Sequence, residues 1–402
     1  MYDVAVVGAR CAGSPTALLL ARKGYRVLLV DKAAFPSDIM STHFVQPPGV
    51  ARLQRWGVLD TVVASNCPPV HSYCLDLGPF SLRGSPPPLD GVATAYCPRR
   101  TVLDKILIDA AVEAGAELRE TFTVEEVCFE GSCVTGIRGR TRNGMSVTEQ
   151  ARLVIGADGL HSLVARMVGA PQYHEKPTVA CAYYTYWSGV VVEGVELYPR
   201  DHRVIIAFPT NDNLICTFME WPSEEFPVVR ADIEGQYMQA LALVPGLTER
   251  IRSGKRAGRF IGTADLPNFF RKPYGPGWAL VGDAGYHKDP NLALGISDAF
   301  RDAELLAEAV DRGFSGRQPL EEALAAYERQ RNESALPAFE LNFKFATLQP
   351  PPPEMQALFG ALRGNQPETD RFIGALSGTV PIPEFFALVN IQRVLNAAAG
   401  NS

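Results

Sequence analysis

The sequence predicts an α/β protein: a parallel-sheet unit of alternating strands and helices, interrupted by a mostly antiparallel sheet and followed by C-terminal helices. Three observations predict it. Strand, glycine turn, helix and strand follow one another within about the first thirty residues, the order of a βαβ unit. Short, mostly apolar runs recur at 152–155, after the opening Arg152, and at 278–281, as expected for strands buried on both faces. Between them, residues 179–221 hold four β-rich runs separated by Ser-Gly, Tyr-Pro-Arg-Asp and Thr-Asn-Asp-Asn turns, the pattern of an antiparallel meander.

Taken in order, residues 4–7 form an apolar strand closed by Gly8. Residues 15–23 follow with helical periodicity at Ala17, Leu18, Leu20 and Ala21, and Gly24 supplies a C-terminal cap. Residues 26–30 form the second strand, ending at Asp31. An amphipathic helix is expected over 103–114, stopped by Gly115, and hairpin-like strands over 124–140. After the strand at 278–281, helices are expected over 292–312 and 320–348. The second should be kinked at Pro337, with Pro319 at its first position, where a missing amide costs nothing. The prolines at 350–353 mark a stiff junction before a short helical tail.

Composition narrows the function. The chain has 402 residues, enough for two or three structural units, and its net charge of −6 argues against nucleic acid, whose phosphates demand basic surfaces. The eight cysteines form no CxxC pair and the six histidines no HExxH spacing, so no metal is expected and the thiols are expected to be reduced. The start Met1-Tyr2-Asp3 lacks the basic stretch of a signal peptide, and no run of about eighteen apolar residues could span a membrane. These readings point to a cytoplasmic location.

Three motifs carry chemistry. The first is Gly8-Ala9-Arg10-Cys11-Ala12-Gly13, a dinucleotide fingerprint with Arg10 in place of the middle glycine and Cys11 as a small filler. The first glycine makes the tight turn, the last permits close packing of helix on strand, and the helix N-terminus receives a pyrophosphate. Asp31 follows Gly13 at about the spacing of the ribose-binding acid. The second motif is Gly156-Ala157-Asp158-Gly159, running on to Arg166. The third is Gly282-Asp283-Ala284-Gly285, running through Pro290 to Gly295-Ile296-Ser297.

With these three motifs in this order, the chain resembles the p-hydroxybenzoate-hydroxylase-like flavoproteins, which include class A aromatic monooxygenases, flavin halogenases and geranylgeranyl-reductase-like enzymes. The resemblance implies a Rossmann-type FAD-binding domain built from residues 1–75, 97–170 and 266–340. It implies a substrate domain from 76–96 and 171–265, and a helical segment over 341–402. By the same resemblance, Gly8, Arg10, Cys11, Ala12, Gly13, Asp31 and Lys32 would surround the ADP half of FAD. Arg100 would lie over the flavin-side phosphate. Asp158 and Gly159 would lie near the pyrophosphate, Asp158 also helping with pyridine nucleotide, and Gly282 and Asp283 would meet the ribityl chain. Pro290, Gly295 and Ile296 would face the pyrimidine edge of the ring. The chain departs from the family pattern at Ala293, Tyr286 and Ser297, which usually read glycine, histidine and asparagine.

The expected function is an FAD-dependent monooxygenase that uses NADPH or NADH and oxygen, through a flavin hydroperoxide, on a small aromatic or polyketide-like molecule. A flavin-dependent reductase of carbon–carbon double bonds is the alternative, followed by a halogenase and a redox-silent FAD enzyme. Against a halogenase, the nearest approach to WxWxIP is Met219-Glu220-Trp221-Pro222, and no lysine stands out for the role such enzymes give one. Strand alternation allows only one of the pairs Tyr184/Tyr186 and Tyr183/Trp187 to face the ring. Tyr184 and Tyr186 are assigned to the substrate, because Ala180 and Ala182 on their side leave room. His43 and Tyr186 are the catalytic candidates.

Overall fold

The first strand, Tyr2–Val7, carries one charge, Asp3, and sits in the middle of a parallel series. It pairs with Ser146–Gly156 on one side and Val27–Val30 on the other. Trp278–Leu280 and Glu117–Arg119 extend the series outward. Such a sheet must be covered on both faces. Helices Gly13–Arg22, Arg100–Glu113 and Gly295–Phe314 cover one face, burying Leu18, Leu107 and Phe300 against Val4 and Val6. On the other face Ala5 and Val7 meet Val127 and Ile137 from the antiparallel strands Thr123–Glu130 and Cys133–Arg140. This computed structural model describes residues 1–399.

The meander forms a second sheet in the order Lys255–Arg256, Ala180–Ser188, Leu214–Pro222, Arg203–Thr210, Val195–Arg200, Tyr73–Asp76, Ser81–Gly84. All its pairings are antiparallel except Val195–Leu197 with Tyr73–Leu75. Its two faces bury different partners. Cys181, Trp187, Ile205 and Met219 pack beneath the helices of residues 226–253, whereas Ala182, Tyr184, Tyr186, Phe208 and Phe218 turn towards the parallel-sheet unit. A short sheet of Gln172–Lys176, Asn268–Arg271 and Tyr286–His287 joins the two units.

Three expectations need adjusting. The second sheet takes its strand from Tyr73, slightly ahead of 76, because the parallel pairing with Val195 is long-range and leaves no local signal. Pro319 lies at the N-cap of Leu320–Ala346, one place before the first helical position, and that helix runs on through Pro337. The C-terminal tail is four helices, Pro353–Leu362, Gln366–Ser377, Ile382–Phe385 and Leu388–Ala399, packed around Leu82 of the edge strand. Among the described residues, no helix is long and apolar enough to cross a membrane.

Candidate functional site

Four neighbouring parallel strands end at Val7, Val30, Gly156 and Leu280. The predicted motifs begin where they end. Gly8, Asp31, Ala157 and Gly282 therefore meet at the carboxyl edge of the sheet, where ligands bind in open α/β folds. They line a cavity of about 590 Å³ whose far wall is the inserted sheet, represented by Ala182, Tyr184 and Phe218.

The glycines of the first turn have no substitute. Gly8 has φ +105°, and a Cβ there would come within 2.4 Å of the Ala157 carbonyl oxygen. A Cβ on Gly13 would lie 1.7 Å from the Gly8 carbonyl oxygen, so Gly13 lies beneath the turn and shapes it rather than lining the cavity. No side chain caps the helix Gly13–Arg22; the Ser14 amide donates to the Arg10 carbonyl oxygen at 3.0 Å and Pro15 has no N–H, so the positive end of the helix faces the turn through the amides that precede Ser14.

A buried carboxylate organises the positive side of the cavity. Asp104, with no exposed surface, accepts from Arg10 Nη1 (2.7 Å), Arg100 Nε (2.9 Å), Arg100 Nη2 (3.1 Å) and Cys11 Sγ (3.4 Å). Two guanidiniums over one carboxylate leave a net positive charge facing the cavity, as an anionic pyrophosphate requires. Asp104 was missed as a functional residue, although its spacing from Arg100 is that of an i,i+4 helix pair. Burial raises the Cys11 thiol far above its ordinary range, so it is a filler and not a nucleophile.

Asp31 accepts from the amides of Ala9 and Ala33, both at 2.8 Å, which points its carboxylate along the turn. Lys32 lines the cavity beside it. Asp158 accepts from Ser162 Oγ at 2.5 Å and Leu163 N at 2.7 Å, so it caps the short helix Leu163–Met167 from the cavity wall, and Gly159 follows at φ +78°. Asp283 is exposed into the cavity. Pro290, Gly295 and Ile296 line its far end, where the helix Gly295–Phe314 begins without a side-chain cap and a Cβ on Gly295 would meet nothing within 4 Å.

Two candidates stand elsewhere. His43 is 1% exposed and does not line the cavity, although Ser41 and Thr42 do. It packs among the rings of Tyr184, Tyr186 and Phe208, its Nδ1 3.0 Å from the Ser41 carbonyl oxygen and its Nε2 without a partner. Burial lowers its pKa to about 4. Tyr186 lies in the same cluster behind Tyr184, its ring 4.9 Å from the Arg99 guanidinium. Of the two tyrosines, Tyr184 is the one that lines the cavity.

Near the end of the cavity formed by the helix, Lys288 Nζ is paired with Asp298 and lies 2.8 Å from the Tyr286 hydroxyl, which also donates to Asp298. Burial works to raise the Asp298 carboxyl, but Lys288 and Arg301 outweigh it and lower it to about 2. Among the described residues, no cluster of ligands could hold a metal.

The residues present fit FAD. A glycine turn, two uncapped helix N-termini and a doubly cationic patch share one cavity, and open space lies above Gly295 where a ring edge needs it. Comparison with known proteins agrees. A family model described as FAD binding domain matches residues 1–233. Tryptophan 2-halogenase of Chondromyces crocatus is 26% identical over 344 residues, covering 81% of this chain and 64% of that protein. Digeranylgeranylglycerophospholipid reductase of Methanocella arvoryzae is 23% identical over 352 residues, covering 85% and 86%. The solved structure of PqsL from Pseudomonas aeruginosa, described as a probable FAD-dependent monooxygenase, superposes with a TM-score of 0.72 at 21% identity, covering 93% and 98%; at that identity it shares the fold.

Proposed function

The chain belongs to the FAD binding domain family, and from that premise we propose that it is a monooxygenase that oxidises an apolar aromatic or polyketide-like molecule with NADPH or NADH and oxygen. The observation that carries this reading is the cavity wall. Ala182, Tyr184, Phe218 and Leu266 close the sheet side of the cavity, opposite the residues expected around FAD. An apolar wall with a recess at Ala182 suits a flat substrate and keeps water from the reacting face.

FAD supplies the redox chemistry and the activation of oxygen when bound. The protein binds and orients. Arg10 and Arg100 would hold the pyrophosphate, Asp31 a ribose hydroxyl and Asp283 a ribityl hydroxyl. The amides of Gly295 and Ile296 would sit where negative charge collects on reduction, at the positive end of a 20-residue helix. Tyr184 and Phe218 would hold the substrate plane.

Lys288 favours a second reading, a halogenase, because it brings a buried ammonium to the cavity wall, the type of residue that the sequence alone did not single out. The test is oxygen uptake with NADPH or NADH against a panel of phenols and aromatic polyketides, with 18O2 supplied. Incorporation of one labelled oxygen atom supports the monooxygenase. Product that forms only with chloride or bromide selects the halogenase, and reduction of an unsaturated isoprenoid without oxygen uptake selects the reductase.

A further inference from the structure

A pair of carboxyls lies where the inserted sheet meets the loop preceding the helix Gly295–Phe314. Glu220 stands opposite Ala182 in the sheet and two residues after Phe218, on the face turned to the cavity. It has no exposed surface, and Asp289 is 1% exposed. Each carboxyl spends one oxygen on Asn291: the side-chain Nδ2 donates to Glu220 Oε2 at 2.6 Å, and the backbone amide donates to Asp289 Oδ1 at 3.1 Å. The remaining oxygens, Glu220 Oε1 and Asp289 Oδ2, are buried without a partner, and Asn291 holds the two carboxyls as neighbours whose charges bear on each other.

Two bare carboxylates in that position would repel in a medium that screens them poorly, and only a proton between them satisfies both. Among the described residues, neither forms an ion pair with a lysine or arginine. Lys288, next in the chain to Asp289, is turned to Asp298, and His287 is the other titratable side chain that bears on Asp289. The other groups packed against the pair are neutral: Asn268 accepts from the Asp289 amide, and Asn342 donates to its carbonyl oxygen.

We propose that Glu220 is a positioning residue for the cofactor: through one proton shared with Asp289 it clamps the loop of residues 289–294 beneath the inserted sheet and so fixes the helix N-terminus that meets the flavin ring. Asp289, Pro290 and Ala293 of this loop line the cavity, as does Gly295 at the start of the helix, so a shift of the loop is a shift of the cavity wall. The proposal rests on FAD binding and is independent of the reaction catalysed. Burial raises both carboxyls, Asp289 to about 6 and Glu220 further. Groups raised in this way favour the clamped state at low pH, and their contribution is lost as pH rises through the folded pKa values.

The experiment measures FAD affinity by flavin fluorescence between pH 6 and 9 on wild type, Glu220→Gln and Asp289→Asn, with melting of each apoprotein as a second readout. In wild type, affinity is expected to weaken by roughly tenfold over this range as the clamp opens, one pKa unit of differential interaction corresponding to a factor of ten. In Glu220→Gln the amide donates to Asp289 and accepts from Asn291 permanently, so affinity should stay within about twofold of the pH 6 wild-type value throughout. Asp289→Asn should flatten the profile in the same way, and it serves alone if the first variant does not fold. A variant slope equal to that of wild type, or a wild type without a slope, would overturn the proposal. Wild type that binds no FAD at any pH would overturn the cofactor reading, and the clamp with it.

Discussion

At the scale of single residues, Asp283 turns an exposed carboxylate into the cavity from the end of a buried strand. Replacing it with alanine is expected to weaken FAD binding roughly ten- to hundred-fold, since a hydrogen bond to a charged group contributes about 1.5–3 kcal/mol. The melting temperature of the apoprotein should not change. FAD affinity within about twofold of wild type would remove Asp283 from the site. His43 predicts a pH dependence of opposite kind. Its pKa falls to about 4 on burial, so the folded chain resists a proton that the unfolded chain accepts at about 6.5. Stability is therefore complete above about 6.5 and is lost as pH falls towards 4, by about 3 kcal/mol in all. His43→Asn, which tolerates the positive φ of this position, should flatten that slope in denaturant titrations, whatever it does to stability at neutral pH. His43 was visible in the sequence as the histidine of Ser41-Thr42-His43-Phe44, the stretch that follows the second strand. Its orientation away from the cavity was not, because the backbone at 41–43 decides it.

At the scale of elements, the strand Ala180–Ser188 separates two jobs by alternation alone. Trp187 donates its indole N–H to Thr217 Oγ1 at 2.8 Å and packs with Tyr237 and Leu241 beneath the outer helices. Its replacement by alanine should cost about 3–5 kcal/mol of stability, read in denaturant titrations of the apoprotein. The absorption spectrum of bound FAD should be unchanged. Tyr184→Ala should alter that spectrum, because Tyr184 lines the cavity and Trp187 does not. A spectrum sensitive to Trp187 and indifferent to Tyr184 would mean that the other face of the strand meets the cofactor. The parity of the strand was legible from its residues. The depth of each residue was not: Tyr184 and Tyr186 share a face, yet only Tyr184 reaches the cavity, since Arg99 and the His43 cluster occupy the space beside Tyr186.

At the scale of the whole molecule, the C-terminal helices finish the inserted sheet. Leu82 of the edge strand Ser81–Gly84 is buried with Leu358, Leu362, Phe372 and Phe385, so these helices cover an edge that would otherwise be open to pairing with other chains. A chain ending at 350 is expected to aggregate or to melt well below the full-length protein in scanning calorimetry. Equal melting temperatures would show that the helices add nothing to the sheet. The sequence by itself determined the parallel unit and its ligand edge, because local signals encode both: the glycine turn with its helix, the apolar strands, and the acids placed where those strands end. It also determined the meander, through alternation and turn residues. The tertiary structure alone decided what depends on contacts distant in sequence. These are the pairing of Tyr73 with Val195, the approach of Arg10 to the Arg100–Asp104 pair, and the meeting of Glu220 with Asp289 at Asn291. The physical reason is common to all of them. Patterning places a side chain on a face and at a register, but its partner, and so its charge state and direction, is set only when separate elements pack together.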